Sequence, residues 1–250
     1  MNTKLISEGA LAVINQYENV PYYNNKTKAR RAGLRVDVGK GSPKEIFDEL
    51  NDIALINKIN VKELDSAATK KMLVDNNIGI ECSGFVYYVL NEESISRGKG
   101  TLDKYLKFPY AKGILGKIRS KFRPIINTNV KTLAHDNNSK YVLIKEIEVG
   151  DIITMTDGPE GGERDHVLVI YQIEYQNFTP LTLHYAHSVA WPTDGEYGTG
   201  LHKGIIEITD TNKSISEQRW IELDKTGEEN HTHSRALKSK TEVRRLRWFN

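Results

Sequence analysis

The hydrophobic periodicity of this chain changes near residue 140, and this change restricts the folds that the chain can adopt. Before residue 140, apolar residues recur at the spacing of helices, and after it they alternate with polar residues at a period of two. Helices followed by antiparallel strands are typical of the α+β class and not of alternating helices and parallel strands. Since the chain has 250 residues, of which 38% are hydrophobic, we expect one domain over residues 1–250, with N-terminal helices packed on a central antiparallel sheet.

Several segments in the first third of the chain have helical patterns. The opening segment, Leu5 to Glu18, carries a broad apolar stripe. A second helix is predicted from Ser42, because a serine cap, a proline at the first position and a glutamate three residues after the cap form a helix start. Further helices are predicted at Val61–Val74 and Glu81–Leu90. The polar, basic and glycine-containing residues 24–41 are predicted to be a loop.

Strands are predicted mainly in the second half of the chain. A turn that leads into a strand is expected at 147–155, and strands are expected at 166–174, 181–189, 204–209, 219–223 and 242–248. Residues 101–138 have a mixed pattern with several glycines and a basic flank, formed by Lys117, Arg119, Lys121 and Arg123. We interpret this flank as a solvated face, and a binding patch is the alternative.

Charge and composition exclude several classes of protein. Lys and Arg (35) nearly balance Asp and Glu (33), which excludes a highly charged disordered chain and gives no support to nucleic-acid binding. The longest uncharged run, 175–193, is rich in polar residues, so no membrane span is expected. The N-terminal residues show no secretory signal, and a single cysteine excludes an internal disulfide. We therefore expect a soluble protein that is cytoplasmic, or one that is exported without a visible signal peptide.

The single cysteine, Cys82, lies at the predicted first turn of a helix, in the sequence Gly-Ile-Glu-Cys-Ser-Gly-Phe. Unpaired backbone N–H groups and the helix dipole favour an anion there, so the position predicts a lowered thiol pKa and a nucleophilic thiolate. Ser83 and Gly84 have little bulk, which would let a substrate carbonyl approach the sulfur. The alternative is that Cys82 is a small buried hydrophobic residue, the commonest role of a free cysteine.

A histidine at the start of a predicted strand, His166, is the candidate general base. It follows a glycine-rich polar loop and precedes the apolar run Val-Leu-Val-Ile, so it can reach a helix N-terminus packed across the sheet. If 166–174 and 181–189 form a hairpin centred between residues 176 and 177, His166 faces His187 on one face of the sheet. His187 would then orient His166 as the third member of a triad. A one-residue bulge would favour His184 instead, because side chains alternate between the two faces.

The remaining histidines do not predict a metal site. His231 and His233 lie in a segment that reads as a flexible loop without further ligands, and His135 is expected in an exposed turn. Cys82 could bind zinc together with His166 and His187, but the chain lacks the ligand spacing of known zinc motifs. We therefore predict no metal and no cofactor.

The order of these motifs resembles that of the NlpC/P60 superfamily of papain-like cysteine hydrolases. In that family a helix and a Pro-Tyr pair are followed by Asp-Cys-Ser-Gly, by Gly-Asp, by His-Val and by a later polar residue that is usually histidine. The corresponding pieces of this chain are Pro21-Tyr22, Glu81-Cys-Ser-Gly-Phe-Val, Val149-Gly-Asp-Ile-Ile, Asp165-His-Val-Leu-Val-Ile and Tyr185-Ala-His-Ser. The Cys-Ser-Gly and His-Val pieces are the more specific ones.

The resemblance implies a papain-like fold and a role for each site residue. It implies Cys82 as nucleophile, His166 as base and His187 as orienting residue, with Tyr22 and the backbone N–H of Cys82 near the oxyanion. It also implies that Glu81 and Ser83 lie beside the substrate. The chain departs from the family pattern in having this glutamate where an aspartate is usual. It also has a helical insertion, 24–77, which is either a specificity element or extra packing, and an unassigned C-terminal extension, 205–250.

The leading hypothesis is a cysteine hydrolase that cleaves amide bonds through an acyl-enzyme, with peptidoglycan-type peptides as the substrate class that the resemblance implies. One alternative is an acyltransferase or deamidase that uses the same Cys-His-His triad on a protein or a lipid. The other alternative is a non-catalytic binding module in which Cys82 is inert. The expected partner is thus a peptide or amide substrate, and the oligomeric state is left open.

Overall fold

Eight strands in the part of the chain that the structure describes form one antiparallel sheet. The structure is a computed structural model and describes residues 2–23, 35–157, 165–222, 227 and 230–249. The order across the sheet is β2-β8-β3-β4-β5-β6-β7, and β1 pairs with the half of β4 that lies beyond β3. The strands are β1 (Asn2–Leu5), β2 (Ser139–Tyr141), β3 (Ile152–Thr156), β4 (His166–Gln176), β5 (Thr179–Val189), β6 (Gly200–Glu207), β7 (Arg219–Ile221) and β8 (Lys240–Leu246).

Eight α-helices are found among the same residues, so the prediction of a mixed α+β protein with an antiparallel sheet is confirmed. They are α1 (Glu8–Gln16), α2 (Pro43–Ile56), α3 (Ser66–Asp75), α4 (Cys82–Ser96), α5 (Gly113–Phe122), α6 (Pro124–Asn127), α7 (Val130–Ala134) and α8 (His231–Lys238). Short 3₁₀ turns lie at Val36–Val38, Val61–Glu63, Leu102–Lys104, Ile144–Glu146, Ile215–Glu217 and Arg247–Phe249. None of these helices is long and apolar enough to cross a bilayer.

Local caps decide where the helices begin, and they shift two of the predicted starts. Residues Asn2–Leu5 form β1, and α1 begins only after Ser7, whose side chain accepts a hydrogen bond from a first-turn backbone N–H. The helix predicted at Val61–Val74 begins later for the same reason, because Asp65 caps α3. The starts of α2, with its Ser42 capping box, and of α4 agree with the prediction. A capping side chain stabilises a helix start by accepting a hydrogen bond from a free backbone N–H. Hydrophobic periodicity carries no information about caps, so it does not predict these two starts.

The sheet has a hydrophobic core on each of its faces. Helices α1 and α4 pack on the face that carries Val167 and Val169, and the described part of the predicted insertion contributes Leu50 of α2 to the same core. The opposite face carries Leu168 and Tyr185, together with residues from β8 and α8. Of the predicted loop 24–41, residues 24–34 lie outside the described residues. Residues 35–41 contain a 3₁₀ turn and a bridge that ends at the start of α4.

The β4–β5 hairpin has a register two residues away from the predicted one. Val169 pairs with Ala186, whereas the predicted register paired residue 169 with residue 184. The cause is a two-residue turn at Asn177 and Phe178, both of which have positive φ. Two irregularities between this turn and the open end of the hairpin cancel each other.

The error in register leaves the assignment of faces intact. A shift of two residues returns every side chain to its own face, so His166 and His187 still lie on one face of the sheet. His184 lies on the other face, because no irregularity separates it from His187 along β5. The predicted direct opposition of His166 and His187 is nevertheless wrong, and the two residues are diagonal neighbours.

Candidate active site

Contacts with three parts of the chain hold the segment that leads into Cys82, two of them through the backbone and one through a side chain. Ile80 forms one bridge with Tyr22 and another with Lys40. Its carbonyl oxygen also accepts a hydrogen bond from Ser188 Oγ at 2.8 Å. The segment therefore lies between residues that precede α2 and the end of β5, and α4 begins from this fixed position.

Two glycines near Cys82 allow this close approach of backbones. A Cβ atom at Gly79 would lie 2.4 Å from the Pro21 carbonyl oxygen, and one at Gly84 would lie 2.6 Å from the Gly39 carbonyl oxygen. Both positions therefore require a residue without a side chain. Gly84 consequently faces protein backbone, so its small size serves packing and does not leave room for a substrate.

The Cys82 thiol is buried and neutral. Burial raises the pKa of the Cys82 thiol to about 12, and the negative charge of Glu81 adds to this effect. The charges of Lys40 and Arg235 and the backbone N–H of Val167 lower the pKa but do not offset burial. The predicted lowering of the thiol pKa is therefore wrong for this conformation. A helix dipole contributes less than the loss of solvation that an anion suffers on burial.

A chain of hydrogen bonds runs from His166 to a buried carboxylate. His166 Nε2 lies 2.7 Å from His187 Nδ1, and His187 Nε2 lies 2.9 Å from Glu222 Oε1. All three side chains are buried. They come from the start of β4, from β5 and from the residue that follows β7, so the sheet itself sets their relative positions.

The carboxylate at the end of this chain is ionised, and the imidazole at its start is neutral. Burial alone would raise the pKa of Glu222, but the charge of His187 and hydrogen bonds from His187, His202 and Tyr185 hold that pKa well below its usual range. Burial lowers the pKa of His166 well below its usual value, and the positive charges of Arg235, His187 and His202 act in the same direction.

The ionised Glu222 determines where the protons of the two rings lie. A carboxylate only accepts hydrogen bonds, so His187 Nε2 carries a proton and donates it to Glu222. When His187 is neutral its Nδ1 is an acceptor, and His166 Nε2 then donates to it. The unprotonated atom of the pair is therefore His166 Nδ1, which is able to accept a proton from a third group.

His202 supports Glu222 from β6. His202 Nδ1 lies 3.3 Å from Glu222 Oε1, and its Nε2 lies 3.5 Å from Asp194 Oδ2. The His202 ring packs edge-on against Trp191, whose backbone N–H donates to the Asp194 carboxylate at 2.7 Å. Tyr185 Oη donates to the second oxygen of Glu222. These contacts fix a carboxylate that directly follows a three-residue strand.

Glu81 and Ser83 form a second polar network below the start of α4. Lys40 Nζ forms an ion pair with Glu81 Oε1 and donates to Ser83 Oγ at 2.7 Å. The Ser83 hydroxyl also contacts the Glu81 carboxylate and lies 3.1 Å from the Thr128 carbonyl oxygen. Lys40 and Ser83 are buried. Both predicted substrate-facing residues therefore have polar partners inside the protein.

Tyr22 is half-buried beside the segment that leads into Cys82. Its backbone bridges Ile80, and its N–H lies 3.3 Å from Thr199 Oγ1 in the connection between β5 and β6. The structure thus brings Tyr22 close in the fold to the start of α4, from which sixty residues of chain separate it.

Of the three predicted triad residues, His166 and His187 are in direct contact. The backbone N–H of Val167, the residue that follows His166, is close enough to Cys82 to lower the pKa of its thiol. Within the residues that the structure describes, no hydrogen bond joins this sulfur to either imidazole ring. Cys82 is thus near the start of β4, but α4 packs on the face of the sheet that carries Val167, whereas the His166 and His187 side chains lie on the face that carries Leu168.

Three groups of this site come from a part of the chain to which the sequence analysis gives no role. Glu222 binds His187, His202 contacts Glu222, and Arg235 of α8 carries a positive charge that acts on both Cys82 and His166. Arg235 lies one helical turn after His231, whose ring packs against Trp191. The predicted extension 205–250 thus contributes to the site. No local sequence signal marks Glu222 or Arg235, and His202 comes next to His187 only when β5 and β6 pair.

The other histidines occupy different environments. His184 Nε2 lies 3.1 Å from Glu174 Oε1 on the face opposite to His187. The prediction of a flexible loop around His231 and His233 is wrong, because these residues begin α8, which Asn230 caps. His233 Nε2 lies 2.9 Å from the Ser216 carbonyl oxygen. Among the described residues, no group of three His, Cys, Asp or Glu side chains is arranged to hold a metal ion.

A surface cavity lies at the other end of the β4–β5 hairpin. It is lined by residues that flank the Asn177–Phe178 turn, among them Gln176 and Leu181, and by Ile208. The hydrogen-bond chain from His166 to Glu222 lies at the open end of the same hairpin. The cavity is therefore separate from these residues.

Comparison of the chain with protein-family models, with curated proteins and with solved structures finds no match.

Proposed function

We propose that this chain is a papain-like cysteine hydrolase of the NlpC/P60 type, which cleaves amide bonds through an acyl-enzyme at Cys82. The observation that carries the proposal is the buried hydrogen-bond chain from His166 through His187 to Glu222, which begins one residue before Val167, whose backbone N–H lowers the pKa of Cys82. A histidine whose ring and proton positions are fixed by a second group meets the requirement for a general base. The roles of Cys82, His166 and His187 are those that the resemblance implies.

In the first step, His166 Nδ1 accepts the thiol proton of Cys82 while the sulfur attacks the carbonyl carbon of the substrate amide. The S–C bond forms, and the carbonyl oxygen takes the negative charge. Because the resting thiol and imidazole are both neutral, proton transfer accompanies the attack and does not precede it. The imidazolium that forms is stabilised by His187 and, through it, by the ionised Glu222.

In the second step, the C–N bond breaks and His166 gives its proton to the leaving amine. The acyl group now forms a thioester with Cys82. Water attacks this thioester and passes a proton to His166, and the carboxylic acid leaves as the S–C bond breaks. The proton on His166 returns to the sulfur, which restores the resting enzyme.

The first turn of α4 is suited to hold the oxyanion of both steps. Helices α1, α2 and α3 each have a side chain that caps their first turn, but α4 has none. The first-turn backbone N–H groups of α4 therefore receive no bond from a capping side chain, and that of Cys82 is proposed to bind the negatively charged oxygen. Tyr22 lies beside this turn and is proposed to border the same oxygen.

Peptidoglycan-type peptides are the proposed substrates. The proposal rests on the resemblance to the NlpC/P60 superfamily and on the positive charge of Arg235 at the site. Such peptides carry free carboxylates, and the positive charge of Arg235 acts at the sulfur and the base. Arginine is well suited to bind a carboxylate through two parallel hydrogen bonds. The Glu81 carboxylate forms an ion pair with Lys40. Glu81 is therefore proposed to hold the start of α4 in place and not to serve only as a ligand of the substrate.

Incubation with soluble peptidoglycan peptides, followed by mass spectrometry, tests the proposal. Wild-type protein is expected to split a peptide by adding water across an amide, and Cys82→Ala should abolish the cleavage while the circular dichroism spectrum is unchanged. Cleavage at the wild-type rate by Cys82→Ala would overturn the mechanism. Failure of the wild-type protein to act on any of these peptides would overturn the substrate class.

The same spectra separate the alternative reactions. Deamidation leaves the peptide whole and exchanges an amide nitrogen for oxygen, and acyl transfer joins the acyl group to an added amine or alcohol. A binding module leaves every peptide unchanged. Each outcome is distinct from hydrolysis, which releases two fragments from one peptide.

A further inference from the structure

Helix α5 turns its apolar side away from the protein. Ile114, Leu115 and Phe122 are 79%, 82% and 82% exposed, and Ile118 between them is 48% exposed. In contrast, Ser120 of the same helix is buried. A surface helix of a globular protein normally has the reverse arrangement, with its apolar stripe against the core.

The geometry of an α-helix explains how this arrangement arises from the sequence. Ile114, Ile118 and Phe122 are spaced four residues apart, and Leu115 lies beside them, so the four form one stripe about 100° wide. The small residues Gly113, Gly116 and Ser120 occupy the opposite side of the helix, where Ser120 is buried, Gly116 is half-buried and Gly113 is exposed. The one buried residue of the helix, Ser120, thus lies on its small side, and the apolar stripe remains exposed among the described residues.

Positive charges surround this stripe and no negative charge interrupts it. The segment from Lys112 to Arg123 contains five basic residues and no acidic one, the basic residues being Lys112, Lys117, Arg119, Lys121 and Arg123. At 100° per residue, Arg119 lies on one side of the stripe and Lys121 on the other. None of the five side chains forms an ion pair within the part of the chain that the structure describes. The interpretation of this flank as an ordinary solvated face does not account for the exposed stripe.

We infer that α5 is a docking surface for the headgroup region of an anionic lipid bilayer, in which the helix lies parallel to the membrane plane. A helix with an apolar face and a Lys- and Arg-rich border inserts its apolar side chains between the lipids, while the cations remain at the anionic headgroups. Tyr110, which is also exposed just before the helix, has the amphipathic ring that suits this interface.

Charge distinguishes a membrane from the other possible occupants of this surface. A second copy of the chain docked through α5 would bring two sets of like charges together, which disfavours association. A bilayer supplies many negative headgroups on both sides of the stripe at once. The inference concerns a surface on α5 and does not depend on the reaction proposed at Cys82.

Vesicle flotation tests this inference with the full-length protein. The vesicles are phosphatidylcholine alone, or phosphatidylcholine with about 30 mol% phosphatidylglycerol. Wild-type protein is expected to float with the anionic vesicles at low salt, to bind them less at high salt and to bind the neutral vesicles weakly. The double variant Leu115→Ser/Phe122→Ser should weaken binding to the anionic vesicles about tenfold or more, because both side chains enter the interface.

A matched control is available on α2. Leu55 and Ile56 are each 78% exposed but have no such basic border, so Leu55→Ser/Ile56→Ser should bind the vesicles as wild type does. The inference is overturned if wild-type protein does not bind anionic vesicles, or if the α5 and α2 variants lose binding equally. It is also overturned if light scattering shows a wild-type dimer that Leu115→Ser/Phe122→Ser converts to a monomer while vesicle binding is unchanged.

Discussion

His166 Nε2 and His187 Nδ1 are joined by a 2.7 Å hydrogen bond, although the two residues are not directly opposite each other on β4 and β5. The diagonal placement leaves His187 Nε2 directed at Glu222 and leaves His166 Nδ1 as the unprotonated atom of the pair. This arrangement places the ionised Glu222 where it can stabilise a positive charge on the histidine pair.

Glu222→Gln should reduce turnover of peptidoglycan peptides about a hundredfold, because the neutral amide no longer stabilises the imidazolium that forms at His166 during the reaction. The buried donors Tyr185 and His202 also lose their carboxylate, so unfolding in urea should show a loss of about 1–3 kcal/mol. The matched control is Glu174→Gln, which removes the carboxylate paired with His184 on the other face. Equal rates for the two variants would contradict the role given to Glu222.

Lys40→Met should destabilise the fold by about 3–5 kcal/mol, because it leaves the Glu81 carboxylate without its cation below α4. The double variant Lys40→Met/Glu81→Gln should regain most of this stability, since no uncompensated charge remains. The exposed pair Lys44–Asp48 serves as control, and Lys44→Met should change the free energy of unfolding by less than about 1 kcal/mol. Urea denaturation measures all three. A loss for Lys40→Met no larger than that for Lys44→Met would refute the importance of this network.

The stability of the protein should fall as pH decreases below about 6.5, the usual pKa of histidine in an unfolded chain. The pKa of His166 is lowered in the fold, mainly by burial, so below that pH the unfolded chain binds a proton that the folded chain does not. The contribution is fully present above pH 6.5 and is lost towards the folded pKa, at about 1.4 kcal/mol per pH unit. His166→Gln should therefore show a smaller loss of unfolding free energy between pH 7.5 and 5.5 than wild type. Identical slopes would speak against a buried neutral His166.

Cys82 should react slowly with iodoacetamide in the native protein. Its pKa is raised to about 12, mainly by burial, so the thiolate fraction near pH 8 is about a thousandfold smaller than for an ordinary cysteine. Because Cys82 is the single cysteine, intact mass reports its alkylation directly, and the urea-unfolded protein supplies the reference rate. Rapid native alkylation with a plateau below pH 8 would contradict the neutral resting thiol.

The sequence predicts the parts of this structure that depend on periodicity and local caps. The start of α2 follows from Ser42 and Pro43, and the two long strands follow from their alternation. His187 rather than His184 shares a face with His166 because parity survives an even shift of register. A register shift of one residue would have placed His184 on the face of His166 in place of His187. The choice of His187 is therefore correct because the actual shift is two residues.

What the sequence does not predict arises from contacts between distant segments. Glu222 follows a strand of three residues, and nothing local distinguishes it from the other acidic residues of the chain. Lys40 lies in a basic, glycine-containing stretch, and contacts with distant residues, such as the bridge to Ile80, bring it next to Glu81. The predicted direction of the Cys82 pKa shift is wrong, because the pKa is raised by burial. Burial depends on packing of the whole core, whereas the sequence indicates only that Cys82 begins a helix.

Turnover of soluble peptidoglycan peptides by His166→Gln and His184→Gln tests the central claim most directly. Both variants remove one histidine from the β4–β5 hairpin. His166 belongs to the series of hydrogen bonds that ends at Glu222, whereas His184 is bonded to Glu174 on the other face. Mass spectrometry should show that His166→Gln cleaves about 10²- to 10⁴-fold more slowly than wild type and that His184→Gln cleaves at nearly the wild-type rate. Undiminished cleavage by a folded His166→Gln protein, or an equal loss in both variants, would contradict the claim.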